Sequence, residues 1–308
     1  MITIKDIAKA SGVAPSTVSY ALNNDSRIPD ETKNKVLAAA QQLGYKGRSG
    51  KKPVATEKKQ IVLCINSFSG TIYEELTQAI REVLKSSGCE FLLYLDKNVT
   101  DLKSVDGILM LNSRISNDSI KELVRRKIPV VVMDRNENID GTVSVTLDNR
   151  SGCYAVTKRA IALGAKTFCF VSGPNASYES KDRFAGFKAA LEEAGIENFI
   201  QLPGDFTIES GKRAATFMLS SRLPDAIVCA NDEMAEGVYS VISASDQPVP
   251  LLCGFDGTYK ELDHNFITAK ASRSDWGHNA AYVLLNLLSG APSVSDSVIK
   301  TRLIEYRK

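Results

Sequence analysis

The chain has 308 residues, 44% of them hydrophobic, and its 38 basic and 36 acidic side chains leave a formal charge of +2, enough material for a small headpiece plus one large or two medium domains. Its two histidines (His264, His278) and six scattered cysteines, with no C-x-x-C pair and no phosphate-binding or dinucleotide glycine fingerprint, give little from which to build a catalytic dyad, a metal cluster or a cofactor site. No catalytic residue, metal ligand or cofactor is therefore nominated, and an enzyme is the reading the sequence favours least.

Thr3 to Asn23 reads T-I-K-D-I-A-K-A-S-G-V-A-P-S-T-V-S-Y-A-L-N, two short helices joined by a glycine turn. Thr3 is placed to cap the first, whose apolar stripe is Ile4, Ile7 and Ala8, and Gly12 stands where the chain must turn. Pro15 suits the opening turn of the second helix, which carries Val18 and Leu22 inward. Asp30 to Leu43 predicts a third amphipathic helix with Val36, Leu37, Ala40 and Leu43 inward and Gly44 as its stop. Three helices in residues 1–46 have the layout of a helix-turn-helix DNA reader, an ordinary helical hairpin being the alternative.

Residues 1 to 60 hold eleven basic and five acidic side chains, a net of +6, so the remainder carries −4. A basic head on an acidic body is the footprint expected for phosphate contact. The stretch 47–60, rich in Lys, Gly, Ser and Pro, reads as a basic linker.

From Ile61 short apolar runs alternate with helical patterns: I-V-L-C-I, a helix from Tyr73 to Ser87, F-L-L-Y-L, G-I-L-M-L, a helix from Asn117 to Arg126, then P-V-V-V-M. After Asn149 the pattern restarts with a helix to Leu163, T-F-C-F-V-S, a helix from Ser180 to Ala194 and F-I-Q-L. It continues with a helix from Glu209 to Ser220, A-I-V-C-A, a helix from Asp232 to Ser243, and P-L-L-C-G-F. Such alternation predicts right-handed crossovers and an α/β body of two parallel-sheet subdomains. Between Asp96 and Asp106 the crossover is too short for a full helix, so it is compressed or irregular. Cys64, Cys169, Cys229 and Cys253 fall in strand-like runs and read as buried free thiols. The start M-I-T-I-K-D lacks the apolar core of a signal peptide and no run approaches the ~18 apolar residues that span a bilayer, so a cytoplasmic location with no membrane partner is expected.

The N-terminal segment, with I-P-D-E-T-K-N-K-V-L-A-A-A-Q-Q-L-G-Y (Ile28 to Tyr45), closely resembles the lactose-repressor/galactose-repressor (LacI/GalR) family of bacterial transcription regulators. The resemblance extends over nearly the full chain through V-D-G-I-L-M-L, I-P-V-V-V-M-D-R, D-R-F-A-G-F, A-N-D-E-M-A-E-G and G-F-D-G-T. It implies a helix-turn-helix headpiece (1–46), a linker (47–60) and a periplasmic-binding-protein-like body (61–308) crossed three times between lobes. Lobe 1 is then about 61–147 and 272–295, and lobe 2 about 148–271 and 296–308.

By the same resemblance the second helix enters the major groove of a near-palindromic double-stranded operator. Base contacts carry over to Pro15, Ser16 and Tyr20, and phosphate contacts to Thr17, Ser19 and Asn23, with Thr3 counted among the DNA-contacting residues. Most relatives have arginine where Tyr20 stands; arginine's fork reads guanine through two hydrogen bonds and tyrosine cannot. The alternative for Tyr20 is a partly exposed ring packed on the headpiece. In the family the linker folds as a hinge helix, but G-R-S-G-K-K-P-V-A-T is poor helix material. Arg48, Lys51 and Lys52 are expected to meet phosphates instead, with Val54 the nearest minor-groove wedge. Homodimer formation is expected from the first lobe's helices.

The resemblance further implies a sugar-like effector between the lobes, modulating operator affinity of a repressor of carbohydrate-utilisation genes. Arg183, Asn231, Asp256 and Asp134 match the polar cleft positions and Phe206 the stacking aromatic. Each has a structural alternative: Asp134 in a pair with Arg135, Asn231 as a helix cap, Phe206 in the core. A Q-P pair of relatives is replaced by Ser272 and Arg273, so that Arg273 and Trp276 line the cleft or the lobe interface. The competing reading is a cytoplasmic ligand-binding protein, or a regulator controlled by a protein partner through a degenerated cleft.

Overall fold

The computed structural model describes residues 3–22, 28–43, 58–66, 71–258, 264–290 and 295–307. Two compact units follow one another, Met1–Glu57 and Lys58–Lys308.

The first unit contains α1 (Ile4–Ser11), α2 (Pro15–Leu22) and α3 (Asp30–Gln42). The Thr3 backbone N–H donates to the Asp6 carboxylate at 2.8 Å and the Thr3 hydroxyl donates to the same oxygen at 2.7 Å. The Thr3 hydroxyl and backbone together hold the Asp6 carboxyl below the usual carboxylate range. Gly12 ends α1 at φ 67°, a left-handed conformation that a Cβ would disfavour. Ile7, Ala8, Val18, Ala21, Val36, Ala39 and Ala40 form the shared core. Leu37 does not join it and is 50% exposed. Val36, Ala39, Ala40 and Leu43 occupy the i, i+3, i+4, i+7 stripe, and Leu37, one residue on, is turned roughly 100° away.

The second unit begins with β1 (Gln60–Ile65), α4 (Thr71–Ser86), β2 (Glu90–Tyr94), β3 (Gly107–Leu111), α5 (Asn117–Arg125), β4 (Val130–Val132) and β5 (Val143–Leu147). It continues with α6 (Asn149–Ala162), β6 (Phe168–Val171), α7 (Tyr178–Glu193), β7 (Phe199–Leu202), α8 (Ile208–Met218), β8 (Ala226–Cys229), α9 (Asp232–Ile242), β9 (Leu251–Phe255) and β10 (Phe266–Lys270). It closes with α10 (Arg273–Leu288), β11 (Ser297–Ile299) and β12 (Arg302–Tyr306). The strands form two six-stranded sheets, ordered β11-β5-β4-β3-β1-β2 and β12-β10-β9-β8-β6-β7. All pairings are parallel except β10 with β12.

The chain passes between the sheets after β5, after β10 and between β11 and β12. The Lys300 ammonium meets Asp148 at 2.8 Å and the Asp148 N–H donates to the Ile299 carbonyl at 3.0 Å, tying the first and third crossings together. The last crossing falls at Lys300–Thr301, later than the boundary at 296 expected from the sequence. Ser297–Ile299 pair with Val145–Leu147, supplying the hydrogen bonds that β5 would otherwise leave open at the sheet edge.

Between β2 and β3 the crossover contains one 3-10 turn, Val99–Asp101. Val99 is fully buried with Val62, Cys64, Ile108 and Met110. Arg126 donates from its two terminal nitrogens to the carbonyls of Thr100 and Leu102, at 2.8 and 2.7 Å. One apolar anchor and one guanidinium thus take the place of a crossover helix, and Leu92 and Leu95 are left 44% and 47% exposed.

Each lobe packs helices onto its sheet: α4 and α10 cover one face of the first, whose core runs from Ile61 and Leu63 to Trp276 and Leu284. In the second, Gly211 and Gly237 let α8 and α9 approach until a Cβ at either would strike the other helix's backbone. Five of the six free cysteines are buried, and desolvation pushes the Cys64, Cys153 and Cys169 thiols up to about 12.

Candidate functional site

Two regions answer to the nominated residues. In the first unit α2 turns Val18 and Ala21 into the core, which leaves Pro15, Ser16 and Tyr20 exposed and Thr17 and Ser19 half-buried. The outer face of α2 is therefore a row of hydroxyls without a guanidinium. Hydroxyls donate and accept, and so suit phosphate oxygens and single base-edge contacts. Tyr20 is 42% exposed, so its ring is not core. Asn23, Arg48, Lys51, Lys52, Val54 and most of the linker lie outside the described residues.

In the second unit a cavity of about 250 Å³ opens between the lobes. Arg183, Phe206, Asn231 and Asp256 all line it, carried by α7, the β7–α8 loop, the start of α9 and the end of β9. These positions lie beyond the carboxyl ends of parallel strands, where such sheets place ligands. Asn66 and Tyr73 face them from the first lobe, and Arg273 and Trp276 line the cavity from α10.

Arg183 is held on three sides. Its Nε donates to Asn149 Oδ1 at 2.9 Å, its Nη1 to the Ala230 carbonyl at 2.6 Å, and its Cζ lies 3.8 Å from the Phe255 ring centroid. Its Nη2 stands 3.6 Å from Asp256 Oδ1. Asn231 is a helix cap and a brace at once: Oδ1 accepts from Met234 N at 3.0 Å and Nδ2 donates to the Phe206 carbonyl at 2.9 Å. Phe206 sits at φ 68° and Asp256 at φ 112°, a region side-chain-bearing residues avoid. Gly173 gives the Phe206 ring room that a Cβ would fill. Backbone strain at two cavity-lining residues, fixed by their surroundings, marks a place where side-chain direction matters more than local comfort.

Asp134 is the nominated residue that does not line the cavity. Arg135 takes both its oxygens, Nε to Oδ1 and Nη2 to Oδ2, each at 2.8 Å, with both side chains buried. A buried carboxylate demands such a partner. Burial pushes the Asp134 carboxyl up, against the pull of Arg135. Arg135 also donates to the carbonyls of Asn112 and Ile115, and its Cζ lies 4.3 Å from the ring of Tyr178 in the second lobe.

Arg273 and Trp276 do line the cavity. Arg273 Nη2 donates to Asp256 Oδ1, and the Trp276 indole N–H donates to the Val145 carbonyl at 2.6 Å. Sequence reasoning misses Glu179 and Glu233, which line the cavity from the first turns of α7 and α9. Burial, then the Asp134 charge, raises the Glu179 carboxyl; burial, then Asp256, raises that of Glu233. The Tyr73 hydroxyl is pushed up to about 12 by burial and by the facing carboxylates of Glu179 and Asp256. Two polar atoms at the site, Asn66 Oδ1 and Arg273 Nε, are buried without a partner. Among the described residues no three acidic, histidine or cysteine side chains converge as a metal site would need, and no helix is long and apolar enough to cross a membrane.

Two family models match: bacterial regulatory proteins of the lacI family over residues 3–47, and periplasmic binding proteins and sugar-binding domain of the LacI family over residues 58–251. The chain is 30% identical to the probable HTH-type transcriptional repressor ExuR of Bacillus subtilis (strain 168), covering 97% of this chain and 96% of that one. It is 29% identical to the HTH-type transcriptional repressor PurR of Actinobacillus pleuropneumoniae, covering 92% and 90%. Among solved structures, a sugar-binding transcriptional regulator from Enterococcus faecalis superposes with a TM-score of 0.72 at 27% identity, over 80% of this chain and 95% of that one. The lac repressor dimer bound to operator and an anti-inducer superposes at 0.75 and 22% identity, over 98% and 97%, a likeness of fold.

Proposed function

We propose, from the premise that this chain belongs to the LacI family of bacterial regulatory proteins and is a DNA-binding transcriptional regulator, that its cleft takes a small sugar-like effector which sets operator affinity. The observation that carries this reading is the convergence of Arg183, Phe206 and Asp256 from three separate elements on one cavity between the lobes. Arg183 and Asp256 offer donors and an acceptor to adjacent hydroxyls, the Phe206 ring offers an apolar face, and Asn231 positions Phe206 by holding its carbonyl. A cavity of about 250 Å³ suits a single-ring ligand. A built cleft of this kind favours a small-molecule signal over control by a protein partner alone.

The effector acts through differential affinity for the lobe arrangements, because a ligand shifts an equilibrium only by that difference. Among the described residues two side-chain pairs join the lobes, Arg273 with Asp256 and Arg135 with Tyr178. An effector that reaches Asp256 competes with the first. On the DNA side, Pro15, Ser16 and Tyr20 read bases, and Thr3, Thr17, Ser19 and Asn23 meet phosphates. Arg48, Lys51 and Lys52 act as an electrostatic tether beside Val54. The protein works in the cytoplasm as a homodimer joined through the first-lobe helices, on a near-palindromic site of carbohydrate genes.

Isothermal titration of the purified protein with a panel of neutral, amino and acid monosaccharides tests the cleft. At least one is expected to bind, with affinity reduced tenfold or more in Phe206→Ala. Binding indifferent to Phe206→Ala and to Arg183→Met would place the ligand elsewhere.

A further inference from the structure

The charges of the cleft do not balance. Its two arginines share one carboxylate, so that against Asp256, Glu179 and Glu233 together the lining keeps one excess negative charge. Arg273 and Arg183 both address one oxygen of Asp256, and Arg183 also donates to Asn149 and to the Ala230 carbonyl. Asp205, the fourth lining carboxylate, is met by Arg213 at 3.0 Å. Glu179 and Glu233 are left. Glu179 Oε2 accepts from the Ser177 hydroxyl at 2.7 Å, and among the described residues no basic side chain forms an ion pair with either glutamate.

We infer that the effector is cationic, a sugar or sugar-like ring bearing a protonated amine that Glu179 and Glu233 receive, and that it is not a sugar acid or sugar phosphate. This inference rests on the cleft being the effector site.

The unsatisfied atoms at the site fit a ligand that also carries hydroxyls. Asn66 Oδ1 is a buried acceptor and Arg273 Nε a buried donor, each without a partner, and the Arg273 side chain is only 4% exposed. A hydroxyl can donate to the first and accept from the second; an ammonium next to a carboxylate supplies the missing charge. The Tyr73 hydroxyl lines the cavity from the other lobe, and burial first, then the charges of Glu179 and Asp256, oppose its ionisation. An anionic ligand would meet the carboxylates of Glu179 and Glu233 in a cavity whose two arginines are already partly offset by Asp256. Burial raises both glutamates, a cost of holding their charge in the cleft that a bound ammonium offsets.

The test is isothermal titration of the full chain at neutral pH with three matched sets. These are glucosamine, galactosamine and mannosamine; glucose, galactose and mannose; and glucuronate and galacturonate. N-acetylglucosamine serves as a neutral control of similar shape. The expected result is one amino sugar binding at least tenfold more tightly than its parent hexose, its acid and its acetylated form. That advantage should fall to less than threefold in both Glu179→Gln and Glu233→Gln, whose folding is checked by thermal unfolding. Tighter binding of a neutral or acidic sugar overturns the cationic effector and leaves the cleft reading intact. No binding by any of the sugars overturns both.

Discussion

Arg273, at the first turn of α10 in the first lobe, donates to Asp256 at the end of β9 in the second, and there shares one carboxylate oxygen with Arg183. The two cations and one anion are each about 95% buried, so a desolvated ion cluster joins the lobes. Breaking a buried pair costs more than a surface one because a charge is left behind.

Arg273→Met is accordingly expected to lower the unfolding free energy by about 1–3 kcal/mol, less than for an isolated buried pair because Arg183 still faces Asp256. Urea denaturation measures it, and a drop below ~0.5 kcal/mol, the scale of an exposed pair, would show that the cluster does not hold the lobes.

Glu179 gives a pH signature. Its folded carboxyl lies above its ordinary 4.5, by burial first and the Asp134 charge second. A raised folded value means that its favourable contribution is present below the ordinary value and is lost as pH rises through the raised one. Glu179→Gln, neutral throughout, is therefore expected to be more stable than the parent near pH 8, with the gap closing towards pH 4. Equal denaturation midpoints at both pH values would contradict the burial argument.

Tyr20→Arg is expected to introduce a preference for guanine at one position of each half-site, worth about 1–3 kcal/mol of discrimination. Selection from a randomised operator library reads the change directly. Unaltered preference at every position would mean that Tyr20 does not read a base.

Replacing Lys51 and Lys52 by alanine is expected to weaken binding similarly on all sequences. The slope of log affinity against log salt should shrink by roughly 0.9 for each phosphate that is no longer neutralised. An unchanged slope would remove the electrostatic tether.

The caps and turn of the headpiece are readable because local chemistry decides them: Thr3 with Asp6 closes a cap and Gly12 takes φ 67°. Leu37 misleads because an apolar residue beside the stripe looks like part of it, and only packing against α1 and α2 fixes the phase of α3. In the body, strand and helix alternation is plain, but V-S-V-T-L (Val143–Leu147) alternates polar residues and does not stand out, although all five are buried as β5. The last lobe crossing is two residues long, Lys300–Thr301, and leaves no composition signal. Arg183, Phe206, Asn231 and Asp256, nominated by resemblance, meet at one cavity, while Asp134 is taken by the adjacent Arg135. Glu179 and Glu233 escape notice because an acid in the first turn of a helix already has an ordinary explanation in the helix dipole.

Coupling between the cleft and the DNA-reading face is what would make an effector-binding body into the control of a DNA-binding headpiece. Fluorescence anisotropy of the full chain on its selected operator, with and without the tightest cleft ligand from the sugar panel, measures that coupling. A change in operator affinity of at least fivefold is predicted, the lower end of ordinary allosteric coupling, and it should disappear in Phe206→Ala at the same ligand concentration. Unchanged operator affinity at saturating ligand, with binding to the cleft verified in the same sample, would contradict it.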